Sequence, residues 1–145
     1  MRPLSFFSGP QRASLVLLTL VALSALCNFS SAIAADVYVI ANPSTKVSAD
    51  VIRDVYIGEK QFSGEVKIIP IDNTMAQTDF LERVLKLDQT RYANLWVKKS
   101  FRDALNPPAI RNSDKEIIDF VRKTPGAIAY VGSSPPPGIV LIQKY

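Results

Sequence analysis

The sequence predicts an α/β domain whose sheet is mostly parallel, has about four strands and is flanked by helices. Three observations carry this. Short β-rich runs alternate with segments of helical periodicity in the order β-α-β-α-α-α-β-β, and strands separated by helices build parallel sheets. The second run, Val66-Lys67-Ile68-Ile69-Pro70-Ile71, is nearly all apolar, as expected of a strand covered on both faces. The length of 145 residues allows one domain in two or three layers.

Each element has a local reason. Val37-Tyr38-Val39-Ile40-Ala41 is β-rich and is closed by Asn42-Pro43-Ser44-Thr45, which is turn chemistry. Ser48 is placed to cap a helix that puts Val51, Ile52, Val55 and Tyr56 on one face and ends at Gly58. Thr74 to Gln77 matches a capping box and opens a helix burying Phe80, Leu81, Val84 and Leu85. Asp88-Gln89-Thr90 reads as a break. A helix from about Tyr92 to Leu105 follows, with Leu95, Trp96, Phe101 and Leu105 as core positions, and Asn106-Pro107-Pro108 stops it. Ser113 to Glu116 is a second capping box, and its helix buries Ile117, Ile118, Phe120 and Val121. Ala127 to Val131 and Ile139 to Ile142 are the last strands, joined by a stiff loop with Pro135-Pro136-Pro137.

The first 34 residues read as a secretory signal. Arg2 and Arg12 make a basic start, Leu15 to Leu23 an apolar core, and Ala32-Ile33-Ala34 a small-x-small cleavage site. The remaining domain spans 35–145. Removing the leader takes away two arginines and no acid, so the net charge falls from +4 to +2. A lipid anchor at Cys27 would need a small residue before it, and Leu26 stands there. The expected location is the periplasm.

Composition excludes several functions. The chain has no His, so a His-based triad, an imidazole base and a His-type zinc site are absent. Its one Cys lies in the leader, so the processed chain has neither a disulfide nor a thiol nucleophile. Asp50 with Asp54 and Asp114 with Glu116 sit near helix starts, where acids complement the helix dipole. No pair has a nucleophile or base beside it, and no enzyme, metal site or cofactor is expected. Arg91, Lys98, Lys99 and Arg102 spread over a helix as a solvated face, and Trp96 among them reads as core. With export and a charge of only +2, nucleic acid is not an expected partner.

The most informative place is Asp72-Asn73-Thr74. A helix start directly after a parallel strand presents backbone N–H groups, which is a general anion site, or else Thr74 and Gln77 simply cap the helix. Asn73, Thr74, Gln77 and Thr78 add side-chain donors. In a parallel sheet the loop after the first strand, with Ser44 and Thr45, shares the same end.

The succession Val37 to Pro43, Asp54-Val55-Tyr56-Ile57-Gly58-Glu59, Val66 to Asp72, the Trp96 helix, Pro107-Pro108, Ser113 with Ile117-Ile118, and Thr124-Pro125-Gly126-Ala127-Ile128-Ala129-Tyr130-Val131 resembles phosphate-type periplasmic substrate-binding proteins of ABC transporters. The resemblance spans nearly all of residues 36–131. It implies a single lobe of the type II periplasmic binding-protein fold, a small oxyanion such as phosphate as ligand, and an ABC transporter or membrane sensor as partner. Two departures stand out. The chain has the length of one lobe where the family has two, so a homodimer would be needed to recreate a cleft. In that family an Arg follows the Asp of the second strand and Ser-Gly-Thr opens the next helix; here Asn73 takes the Arg position and the Ser-Gly-Thr segment is missing. The expected function is therefore oxyanion binding for transport, with Asn73, Thr74, Gln77, Thr78, Ser44 and Thr45 as ligand residues. The alternative is a ligand-poor module acting through protein contacts in sensing or signalling.

Overall fold

Val39 and Ala41 face one side of the sheet and Ile40 the other, and the same alternation recurs at Ile128 and Tyr130 against Ala127, Ala129 and Val131. Successive strand side chains point to opposite faces, so both faces of this sheet need cover. The computed structural model describes residues 35–145, and the expected secretory leader lies outside them.

The strands are β1 (Tyr38–Ala41), β2 (Phe62–Ser63), β3 (Val66–Lys67), β4 (Ile69–Asn73), β5 (Ala109–Arg111), β6 (Ala127–Val131) and β7 (Val140–Lys144). The helices are α1 (Ile52–Tyr56), α2 (Gln77–Phe80), α3 (Gln89–Asp103) and α4 (Asp114–Lys123). A 3-10 turn, Ala49–Val51, leads into α1, and a π-helical segment, Leu81–Leu85, continues α2. Five strands form the main sheet in the order β5-β4-β6-β1-β7, and β2 pairs with β3 in a small hairpin. The helices α1 to α3 cover one face and α4 the other, giving three layers. Among the described residues, no helix is long and apolar enough to cross a membrane.

The α/β architecture and the mostly parallel sheet are as expected, with four of five strands running one way. The exception decides the site. β4 is parallel to β5 and β6, but β1 is antiparallel to both β6 and β7. The expected second strand also divides: Val66–Lys67 belongs to the hairpin, and the sheet strand starts at Ile69. β5, after the two prolines, adds the fifth strand.

Helix ends follow local chemistry. Ser113 caps α4, its hydroxyl accepting from the Glu116 N–H. Asp88 does the same for α3 through the Arg91 N–H, so the expected break is in fact a helix start. The Thr74–Gln77 capping box does not form, because Thr74 donates its hydroxyl to Asn112 and α2 begins without a side-chain cap. Two burial expectations also change. Phe101 is 89% exposed rather than core. Lys99, expected on a solvated face, is buried and pairs with Glu59 and Asp103.

Candidate functional site

The residues expected to form one site lie at two ends of the sheet. Because β1 runs against β6, the loop after β1 meets the beginning of β6, where the Asn42 N–H donates to Ala127. The loop after β4 meets the end of β6, where Asn73 Nδ2 donates to the Tyr130 carbonyl at 3.1 Å. Ser44 and Thr45 are thus apart from Asn73, Thr74, Gln77 and Thr78.

At the first end the polar groups hold the loop together. Asn42 Nδ2 donates to the carbonyls of Val121 and Arg122 at 2.8 and 3.1 Å and so caps the last turn of α4. Asn42 Oδ1 accepts from the Ser44 N–H and Ser44 Oγ at 2.9 and 2.6 Å. Thr45 Oγ1 accepts from the Gly126 N–H at 2.9 Å.

At the other end the expected donors also have partners inside the chain. The Thr74 N–H donates to Arg111, the Ala76 N–H to the Asn73 carbonyl and the Met75 N–H to Asn73 Oδ1. Gln77 Nε2 donates to Asp72 Oδ2 at 3.3 Å and Gln77 Oε1 accepts from Gln89. Thr78 is exposed on α2.

A carboxylate of the chain occupies the centre of this end. Asp114 Oδ1 accepts from Asn73 Nδ2 at 2.7 Å. Asp114 Oδ2 accepts from the Gly132 N–H, the Ser133 N–H and Ser133 Oγ at 3.1, 3.0 and 2.7 Å. Four donors from two elements converge on one anion, which is how an oxyanion is held. Asp36, Asp79 and Asp114 all line the shallow cavity beside Met75 and Ala76. Arg111, the nearby cation at the end of β5, is taken up by Glu116 and by the Phe120 ring, 4.6 Å from its guanidinium carbon. Lys144 pairs with Asp36 at 2.8 Å, so Asp79 and Asp114 carry the negative charge left at this cavity.

Asp72 is buried under the same edge. Tyr130 donates to its Oδ1 at 3.0 Å and Tyr92 to its Oδ2 at 3.1 Å. Burial pushes its pKa up to about 6, and the hydrogen bonds from Tyr130, Tyr92 and Gln77 act against that shift. Burial likewise pushes the hydroxyls of Tyr130 and Tyr92 up, with the Asp72 charge adding to both. Sequence reasoning missed Asp72 and Asp114 as centres. Asp114 reads as an ordinary first-turn acid, and only the fold brings Gly132 and Ser133 to it.

No protein-family model matches the sequence, and no curated protein matches it. Among solved structures, the chain is similar to an ABC-type phosphate transport receptor from Vibrio cholerae, with a TM-score of 0.52 and 15% identity. The match covers 76% of this chain and 47% of the receptor chain, so this chain spans about half that receptor's length. The fold is that of a single lobe of a periplasmic binding protein.

Proposed function

We propose that this chain is an exported, one-lobe binding-protein-like domain that acts through contacts with other periplasmic or membrane proteins and carries no free oxyanion. The observation behind this reading is the Asp114 carboxylate, which accepts from Asn73, Gly132 and Ser133 at the end of the sheet. An oxyanion there would have to displace a covalently attached competitor and lie beside Asp79 and Asp114. Like charges at that range are unfavourable. The basic and apolar leader before Ala35 supports export. The loop carrying Pro135, Pro136 and Pro137 leaves the same Ser133 and presents a stiff, partly exposed segment of the kind other proteins read.

The likeness to a phosphate transport receptor favours a second reading. In it the chain binds phosphate for an ABC transporter near Gln77 and Thr78, and a second copy supplies the missing half of the cleft. Thermal unfolding against phosphate, sulfate and other oxyanions separates the two readings. The first expects no shift; a saturable shift with phosphate supports the second.

A further inference from the structure

Two prolines stop the β4–β5 ladder early. Arg111 accepts from the Thr74 N–H, and the register pairs Ile71 with Ala109 as the first couple of the ladder. One step further back, the ladder would need N–H groups from Pro70 and Pro107, and proline has none. The strands part there. A cavity of about 380 Å³ lies between the start of β4, the β2–β3 hairpin and the segment joining α3 to β5. That volume suits a small organic ligand. Buried Val55, Ile68, Trp96 and Pro108 line it, with Leu105 and Pro107 beside them.

The charge of this cavity is of one sign. The hairpin pairs Phe62 with Lys67, and the Ile68 N–H donates to the Gln61 carbonyl at 2.8 Å, so the chain at Lys60 returns alongside the chain at Lys67. Both lysines line the cavity, and no Asp or Glu does. Among the described residues neither lysine forms an ion pair. Asp50 feels the Lys60 charge without pairing with it. Lys67 is exposed and Lys60 half-buried, so both ammonium groups remain within reach of an incoming ligand. A concave wall of low dielectric concentrates the field of two such cations.

We propose that this cavity binds a small organic carboxylate with an apolar body. The carboxylate accepts from Lys60 and Lys67, and the body lies against Leu105, Pro107 and Pro108. The two cations select an anion, and the apolar lining selects one with a hydrocarbon body, so inorganic phosphate is not retained. The proposal does not rest on the protein-contact reading, which concerns Asn73 and Asp114 at the opposite end of β4.

Trp96 is the one tryptophan of the sequence and lines the cavity, so its fluorescence reports occupancy. The experiment titrates the protein with octanoate, with octanol and octylammonium as the uncharged and cationic controls and inorganic phosphate as the anion without a body. The expected result is a saturable change with octanoate, at least tenfold weaker binding of both octyl controls, and no change with phosphate. Replacing both cations, Lys60→Gln with Lys67→Gln, should weaken octanoate about tenfold and leave octanol unaffected, the worth of two partly exposed charge contacts. Both lysines lie outside the core, so this variant keeps its fold. Ala109→Phe, at an exposed position on the cavity wall, should block octanoate by filling the space. No saturable response to octanoate overturns the proposal. So does octanol or octylammonium binding as tightly as octanoate, or full octanoate affinity in the double lysine variant.

Discussion

Asn73 Nδ2 and the carboxylate of Asp114 are 2.7 Å apart, joining the end of β4 to the first turn of α4 across 41 residues of sequence. The same Asn73 nitrogen reaches the Tyr130 carbonyl, and its oxygen accepts from the Met75 N–H. One fully buried amide thus ties β4, β6, the turn before α2 and α4 at the place where an open α/β sheet usually receives its ligand.

Removing the Asp114 carboxylate should release the cradle. Asp114→Ala leaves the N–H groups of Gly132 and Ser133 and the Asn73 amide without their shared acceptor. Hydrogen bonds to a charged group contribute about 1.5–3 kcal/mol each, and the partly exposed N–H groups turn to water instead. A net loss of about 1–3 kcal/mol is expected by urea unfolding, with the midpoint lowered and the slope unchanged.

Asp72 predicts a pH dependence of unusual sign. Its pKa is about 6 in the folded protein against an ordinary 3.8. The native state therefore holds this proton where the unfolded chain has released it. Stability falls as pH rises through the window from about 4 to about 6, by about 3 kcal/mol when the shift is complete. The groups facing Asp72 are the hydroxyls of Tyr56, Tyr92 and Tyr130 and the Gln77 amide, none of them charged there. Asp72→Asn should abolish this slope. Unfolding free energies of both proteins at pH 4.5 and 7 check it, since the exposed carboxylates held low by Lys and Arg, such as Asp36 and Asp119, change both proteins alike.

The aromatic centre of the α1–α3 face should be the most costly place to truncate. Phe80 stacks on Tyr130 with ring centres 3.9 Å apart and planes 4° from parallel, and it meets the Tyr56 edge at 4.6 Å. Phe80→Ala should destabilise by about 3–5 kcal/mol, read from the denaturant midpoint. Phe101→Ala, 89% exposed on the same face, should stay within about 0.5 kcal/mol.

Gly126 has φ +85°, and a Cβ there would stand 2.1 Å from the Lys67 carbonyl oxygen. The close approach lets its carbonyl accept from the Ile69 N–H at the start of the β4–β6 pairing. Gly126→Ala should cost at least about 2 kcal/mol and reduce soluble yield, whereas Gly64→Ala, with nothing near its Cβ and only its own φ to strain, should cost less.

Much of this fold was legible because local chemistry and packing agree. Ser113 caps α4 as its motif predicts, β6 spans Ala127–Val131 as its apolar run predicts, and Ile52, Val55, Tyr56, Ile117 and Val121 are buried. The direction of β1 was not legible, since no residue in Val37 to Ala41 encodes whether a neighbour runs parallel. That one reversal separates Ser44 and Thr45 from Asn73. β5 is three residues long, too short for a periodicity signal. Phe101 sits at helical spacing from Leu105, yet nothing packs over it and it is 89% exposed. Thr74 and Gln77 carry capping chemistry but spend it on Asn112, Asp72 and Gln89, a choice that only the tertiary partners decide.

The central claim is that Asn73, Gly132 and Ser133 donate to the Asp114 carboxylate rather than to a bound oxyanion, and thermal unfolding of the protein with and without phosphate tests it most directly. A ligand at 100 times its dissociation constant stabilises by about 2.7 kcal/mol, worth roughly 10–20 °C for a domain near this size. The account predicts an unchanged midpoint with phosphate at millimolar concentration. A phosphate-specific rise of that size would contradict it.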